Sequence, residues 1–365
     1  MEVFYALVQA LLIILFVGGL SFLAQWSRKD RAAEISLIVI VIAVSFLVCV
    51  LSAIVTFIGV SGSVSASELS PIISFGSAAI ILLAGLAGFA LCVPPLLKIT
   101  GRHRAKSEYE SSKHGSESIA NERRYPVENL SGGWWSDPPI FFTLWMFTLV
   151  LAYSAVSLLV FALAPDETAD TFISAGRLSP VIFLLGELPL AVVAILGVGL
   201  GIRRSFRESL TRLGYGPVTL PQLGFVALFV VGSLLLYFVF SWLFFVLQPG
   251  LADQVTEVSE SIFSPQGLGP VGLVLFALLI GIGAAFGEET LFRGAIQPAL
   301  GITLTSVLFA SIHLQYGPSV LLIYIFVISV GLGFLRKRYN TTTTFLAHAG
   351  YNFSSTLLAY FLGGP

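Results

Sequence analysis

Three short motifs hold the residue types that chemistry needs. "EETLFR" places Glu288, Glu289 and Arg293 in an otherwise apolar stretch, "FASIH" runs from Phe309 to His313, and "HAGYN" joins His348 to Asn352. Ionisable residues inside apolar, membrane-length sequence are costly, rare and usually functional. Residues four apart share a helix face, so Glu289 can pair with Arg293, Phe309 faces with His313, and His348 with Asn352. Glu288 is rotated about 100° from Glu289. The simplest arrangement leaves Glu288 as the reactive carboxylate and anchors Glu289 through Arg293.

These groups suit hydrolysis. A poorly solvated carboxylate is a stronger base towards water. A histidine can share that water or bind a metal that activates it. A second histidine and an amide can donate hydrogen bonds to the oxyanion of a tetrahedral intermediate. The sequence has no HExxH and too few such histidines for a three-histidine zinc site. One divalent metal, zinc, is admitted as a cofactor if a carboxylate joins the set, with Glu288, His313 and His348 as ligands. Glutamate-driven hydrolysis without metal is equally admitted. His103 and His114 lie in a polar stretch and read as solvated surface residues. Glu187, in "FLLGELPL", is a further acid inside an apolar run. Its plainer reading is a cavity-facing or snorkelling side chain; the alternative puts it on the same cavity or against a substrate's polar end.

The elements carrying these residues belong in a membrane. Of 365 residues, 56% are hydrophobic and 11% charged, with a mean hydropathy of +0.93. A soluble domain carries about 25% charged residues. A net charge of −1 argues against a nucleic-acid partner. Cys49 and Cys92 fall in apolar runs, as small hydrophobes rather than a disulfide framework. The apolar N-terminal stretch lacks a basic leader and reads as a retained membrane helix. A crossing helix needs about 20 apolar residues, and the alternation of a β-barrel is missing. The fold class expected is therefore all-α, a polytopic transmembrane helical bundle of about ten spans. They cover roughly 4–25, 36–60, 72–97, 140–164, 180–202, 222–247, 270–296, 302–316, 318–335 and 342–362.

Basic residues orient the spans. With both termini outside, the loops after spans 1, 3, 5 and 9 are cytoplasmic and hold every Lys and Arg except Arg177 and Arg293. The opposite loops carry Glu68, Asp166, Glu167, Asp170, Asp253, Glu257 and Glu260. The chain divides into a three-span accessory region, 1–97, a polar cytoplasmic linker, 98–139, and a seven-span catalytic region, 140–365. Trp134 and Trp135 read as interfacial anchors. Helix-depth arithmetic lets the three motifs meet in the inner half of the bilayer, in a cavity open to the cytoplasm.

In this order on successive helices, the three motifs resemble the CPBP family, the CAAX-protease and bacteriocin-processing group of intramembrane proteases, similar to type II CAAX prenyl endopeptidases. The resemblance covers the last seven spans. It implies an endopeptidase in which Glu288 activates water, assisted by His313. His348 and Asn352 would stabilise the oxyanion, and Glu289 with Arg293 would shape the site. The partners implied are the lipid bilayer and a membrane-associated protein or peptide substrate, prenylated where processing is of the CAAX type. The membrane would be the plasma (inner) membrane of a prokaryote or the endoplasmic reticulum of a eukaryote. "Metallo" is a label the family carries. Two other classes compete: an ion- or proton-coupled transporter, and a non-catalytic immunity or binding protein on the same scaffold. Against the first, no symmetric halves are evident and the polar residues gather in one C-terminal region. Against the second, the motif residues are intact.

Overall fold

The computed structural model of the chain describes residues 2–61, 71–112, 137–174, 179–263 and 267–362. Glu68, Lys113, His114, Arg123, Arg124, Trp134, Trp135 and Arg177, with most of the linker, lie outside the described residues, as does the side chain of His103.

The described chain is helical. α1 (Glu2–Ile13) continues through a π turn, Ile14–Gly18, into α2 (Gly19–Trp26). There follow α3 (Arg31–Ser61), α4 (Pro71–Ser112), α5 (Pro138–Leu163), α6 (Pro165–Ser174) and α7 (Pro180–Gly197). Next come α8 (Phe206–Leu213), α9 (Leu220–Leu247), α10 (Pro249–Phe263) and α11 (Pro270–Glu288). A π segment, Glu289–Ile296, leads into α12 (Gln297–Ser311), and a 3₁₀ turn, Leu314–Tyr316, precedes α13 (Val320–Arg338) and α14 (Thr341–Leu362). Proline opens α4, α5, α6, α7, α10 and α11, where its missing N–H costs nothing and its fixed φ starts the helix. The sequence of α8 supplies its own ends: Ser205 and Glu208 form a capping box, and Gly214, at φ 83°, closes the helix in the left-handed conformation.

Among the described residues, eight helical runs are long and apolar enough to cross a membrane. The polytopic helical bundle expected from composition is what forms. The difference from ten segments has two causes. The seventh and eighth expected spans fall in one run, Pro270–Ser311, but Gly301 breaks it with φ 77° and ψ 177°. The rings of Phe292 and Phe309 lie 5.1 Å apart, where a straight helix would separate the residues by about 25 Å. The chain turns back at Gly301, so the two expected segments are the arms of a hairpin. The final segment, α14, is too polar to count by composition because it sits within the bundle, against α9, α11 and α13. Its Thr341, Thr343, Thr344, Ala347 and His348 are all buried. The third segment runs further than expected, with its helix continuing to Ser112.

The first helices pack onto the rest rather than standing apart. Leu20 and Ala24 of α2, Leu37, Ile38 and Val41 of α3, and Cys92 of α4 bury Phe141, Phe142 and Trp145 of α5. Trp145 Nε1 donates to Ser45 Oγ at 3.3 Å, and Gly88 leaves room for both side chains. Large apolar side chains such as Phe57, Leu83, Leu228, Leu235 and Val271 stay exposed, as a lipid-facing surface requires.

At Gly301 the backbone occupies a region essentially closed to residues with a Cβ, at a cost of about 1–3 kcal/mol. Gly301→Ala is expected to lower the thermal unfolding midpoint of the detergent-solubilised protein, although nothing lies within 4 Å of the added methyl. Gly19→Ala, in right-handed helix with equally open space, is expected to leave the midpoint unchanged or raise it.

Candidate active site

The "GIGAAFG" stretch of α11 explains how three helices meet. A methyl at Gly281 would lie 2.7 Å from the carbonyl oxygen of Ala349 on α14, and one at Gly283 would lie 2.5 Å from Phe183 on α7. One at Gly287 would meet the Glu187 Oε2 at 2.5 Å. Absent side chains thus bring α14 and α7 against α11 directly beside the glutamates. The turn then widens: from Glu289 the helix is π-type, a form rare enough to be concentrated at functional sites.

His348 stands between the two carboxylates. Its Nδ1 is 3.0 Å from Glu289 Oε1, and its Nε2 is 3.7 Å from Glu288 Oε2. The other oxygen of Glu289 pairs with Arg293 Nε at 3.4 Å. Glu289 and Arg293 are both 0% exposed. Arg293 also donates to Ser329 Oγ at 3.1 Å and lies over the Phe309 ring at 4.8 Å. Glu289 therefore anchors the site, as its spacing from Arg293 suggested, but it holds His348 as well. Glu288, almost as deeply buried, makes no hydrogen bond to protein through Oε2.

His313 is oriented by its own turn. Its Nδ1 lies 2.7 Å from the Phe309 carbonyl oxygen. A carbonyl only accepts, so Nδ1 carries the proton and Nε2 presents a lone pair. Phe309 stacks against His313 with ring centroids 4.7 Å apart, and against His348 at 6.0 Å.

His313, His348 and Asn352 line one cavity of about 70 Å³, room for water-sized occupants. Glu288 does not line this cavity; it lies against His348, which does. Sequence reasoning missed Tyr316, Tyr324 and Tyr351, which share the lining. Tyr351 was findable: it precedes Asn352 and lies one turn beyond His348. Tyr316 follows His313 by three residues but across a 3₁₀ turn, and stacks on its ring at 6.4 Å. Tyr324, on α13, had no local signal; its hydroxyl donates to the Ser233 carbonyl at 3.1 Å. Glu187 lies on the other side of α11, against Gly287 and within electrostatic reach of Glu288. It does not line the cavity.

Among the described residues, no group of three His, Cys, Asp or Glu side chains is arranged to hold a metal ion. Glu288, His313 and His348 do not make a three-donor set in this arrangement, and the steps proposed below use protein groups and water.

An uncompensated buried charge costs about 3–5 kcal/mol. Arg293→Met is therefore expected to destabilise the protein by that order, and Arg293→Met with Glu289→Gln to recover part of the loss, read from thermal unfolding in detergent.

Comparison with known proteins bears on the same segment. Residues 270–354 match the family model for Type II CAAX prenyl endopeptidase Rce1-like proteins. No curated protein and no solved structure matches the chain. The matched segment starts at the first residue of α11 and ends just past Asn352, so it spans Glu288, Glu289, Arg293, His313, His348 and Asn352. Over residues 270–354, about a quarter of its length, this integral membrane chain is similar to the Rce1-like family of type II CAAX prenyl endopeptidases.

Proposed function

We propose that the protein is an intramembrane endopeptidase that hydrolyses a peptide bond of a membrane-associated protein or peptide, with Glu288 as general base. The observation that carries this reading is the juxtaposition of a buried carboxylate oxygen, free of protein hydrogen bonds, with His348 at 3.7 Å, which itself lines a small cavity with His313 and Asn352. Glu288 takes a proton from water as the water oxygen attacks the carbonyl carbon. The peptide C–N bond then breaks, and Glu288 returns that proton to the departing amine. His313, which lines the cavity and keeps its Nε2 lone pair free of the Phe309 bond, accepts a hydrogen bond from the same water.

His348 donates from Nδ1 to Glu289, so it can donate from Nε2 only in its doubly protonated form. Two flanking carboxylates favour that form. As a cation it stabilises the oxyanion, together with the Asn352 amide. Glu289 and Arg293 position His348. This assignment of roles follows from which nitrogen each histidine has already committed, and it needs no metal. The substrate is prenylated if processing is of the CAAX type, and the cavity opens towards the cytoplasm if the basic loops lie there.

Glu288→Gln removes the base but keeps the shape. It is expected to abolish cleavage in membranes while accumulation and thermal stability persist, with uncleaved precursors visible when the C-termini of membrane proteins are compared between the two strains. Unimpaired cleavage by Glu288→Gln would sink the assignment. Asn352→Ala is expected to slow cleavage about 10²–10³-fold, as for loss of one oxyanion donor, with little change in substrate binding. Wild-type activity is expected to persist in a metal chelator; its loss and recovery on adding zinc would reinstate a metal.

A further inference from the structure

At the end of the bundle where α2, α7 and α13 finish and α14 begins, arginines from three separate segments converge. Arg212 has Arg28, Arg203 and Arg336 as cationic neighbours, and Arg204 has Arg212 and Arg28. Among the acids, Asp137 acts on Arg212 and Glu208 on Arg204. Both acids are engaged: Asp137 holds Arg28 in a two-pronged ion pair, and Glu208 closes the capping box of α8 with Ser205. Around Arg204, Arg212 and Arg336 positive charge is thus in excess. Like charges do not assemble unaided, so the backbone must hold them there.

The scaffold does so with specific contacts. The loop after α7 folds tightly through Gly199 and Gly201, at φ 95° and 76°, and Gly201 N–H bonds the Arg204 carbonyl at 3.0 Å. Lys29 Nζ donates to the Ile202 carbonyl at 2.6 Å, and the Arg204 guanidinium donates to the Val198 carbonyl. Partial burial, then Arg212 and Arg28, lower the pKa of Arg204 from its ordinary value. The Arg336 guanidinium packs against Gly214, in the space a Cβ there would occupy. Its Nε is buried without a hydrogen-bond partner. Trp26 and Phe206, beside these arginines in sequence, are exposed, which suits the level of lipid headgroups.

We propose that this arginine cluster, centred on Arg204, Arg212 and Arg336 with Arg28 beside them, binds the phosphate of an anionic phospholipid headgroup. Guanidinium forks match phosphate oxygens in pairs, and headgroup phosphates lie where membrane-spanning helices end. A bound phosphate supplies the missing negative charge.

The site adjoins the catalytic helix through one short loop. Gly214, under Arg336, accepts a hydrogen bond from Thr341 N–H at 2.8 Å, and the neighbouring Leu213 carbonyl accepts from Thr341 Oγ1 at 2.5 Å. Leu213 packs against Gly294 of the π segment. The Tyr215 hydroxyl meets Thr290 Oγ1 at 2.5 Å, and Thr290 already donates to Phe286 O, so Tyr215 is the donor. Thr290 is the residue after Glu289. Lipid at the arginines braces the loop that supports the π turn.

The test uses the purified full chain in neutral detergent and needs no protease substrate, so its result is independent of the proposed activity. Phosphatidylglycerol in mixed micelles is expected to raise the thermal unfolding midpoint and to remain bound in native mass spectra, whereas phosphatidylcholine does neither. Arg212→Gln with Arg336→Gln is expected to lose both effects. Lys337→Gln with Arg338→Gln, basic positions outside the cluster, is expected to keep them. Should the first pair not accumulate, Arg212→Gln alone, at an exposed position, is expected to reduce the shift at least twofold. A rise reproduced by inorganic phosphate alone assigns the same site to free phosphate instead of lipid. No rise with either probe, or equal loss in the Lys337/Arg338 pair, overturns the proposal.

Discussion

Glu289 sits wholly buried between Arg293 and His348, and the geometry of the site depends on that ion-paired carboxylate. Burying a carboxylate and a guanidinium is costly unless each meets the other and further partners. Here the partners come from three directions: Arg293 from the next turn, Ser329 from α13 behind it, and His348 from α14. The same contacts leave Glu288 little choice of position. It lies next in the chain, one step from a fixed anchor, and faces the remaining imidazole nitrogen.

Close helix approach is the second requirement. The glycines of α11 are not spacers but contact points, each occupied by a particular neighbour: Ala349, Phe183 and Glu187. A bundle with ordinary side chains at these positions would hold α14 further away, and His348 would fall short of both glutamates. The π turn and the hairpin at Gly301 complete the arrangement by folding α12 back, so that Phe309 packs under both histidines and Arg293. Aromatic packing here keeps the cavity small and narrows the motion of the imidazoles.

The Rce1-like match and the geometry cover the same segment from different evidence. The matched residues include both arms of the hairpin, α13 and most of α14. They exclude α7, whose Glu187 reaches Gly287, and the loop around Gly214 that underpins the π segment. Groups acting on the site from outside the matched segment thus lie beyond the similarity to that family.

Much was legible in one dimension. Composition determined a helical membrane bundle, because a chain with so few charges has nothing to cover a water-facing surface. Four-residue spacing determined the Glu289–Arg293 pair, since both ends lie on one helical face. Spacing also identified His313, His348 and Asn352 as candidates, though not their partners. Only the tertiary structure decided that His348 stands against both glutamates, because that contact joins α11 to α14 across 59 residues of chain. It alone put Tyr324 on the cavity, gathered Arg28 with Arg212 and Arg336, and made the polar α14 an interior helix. The reason is physical: periodicity reports which residues share a face of their own element, whereas the neighbour facing them is set by how separate elements pack.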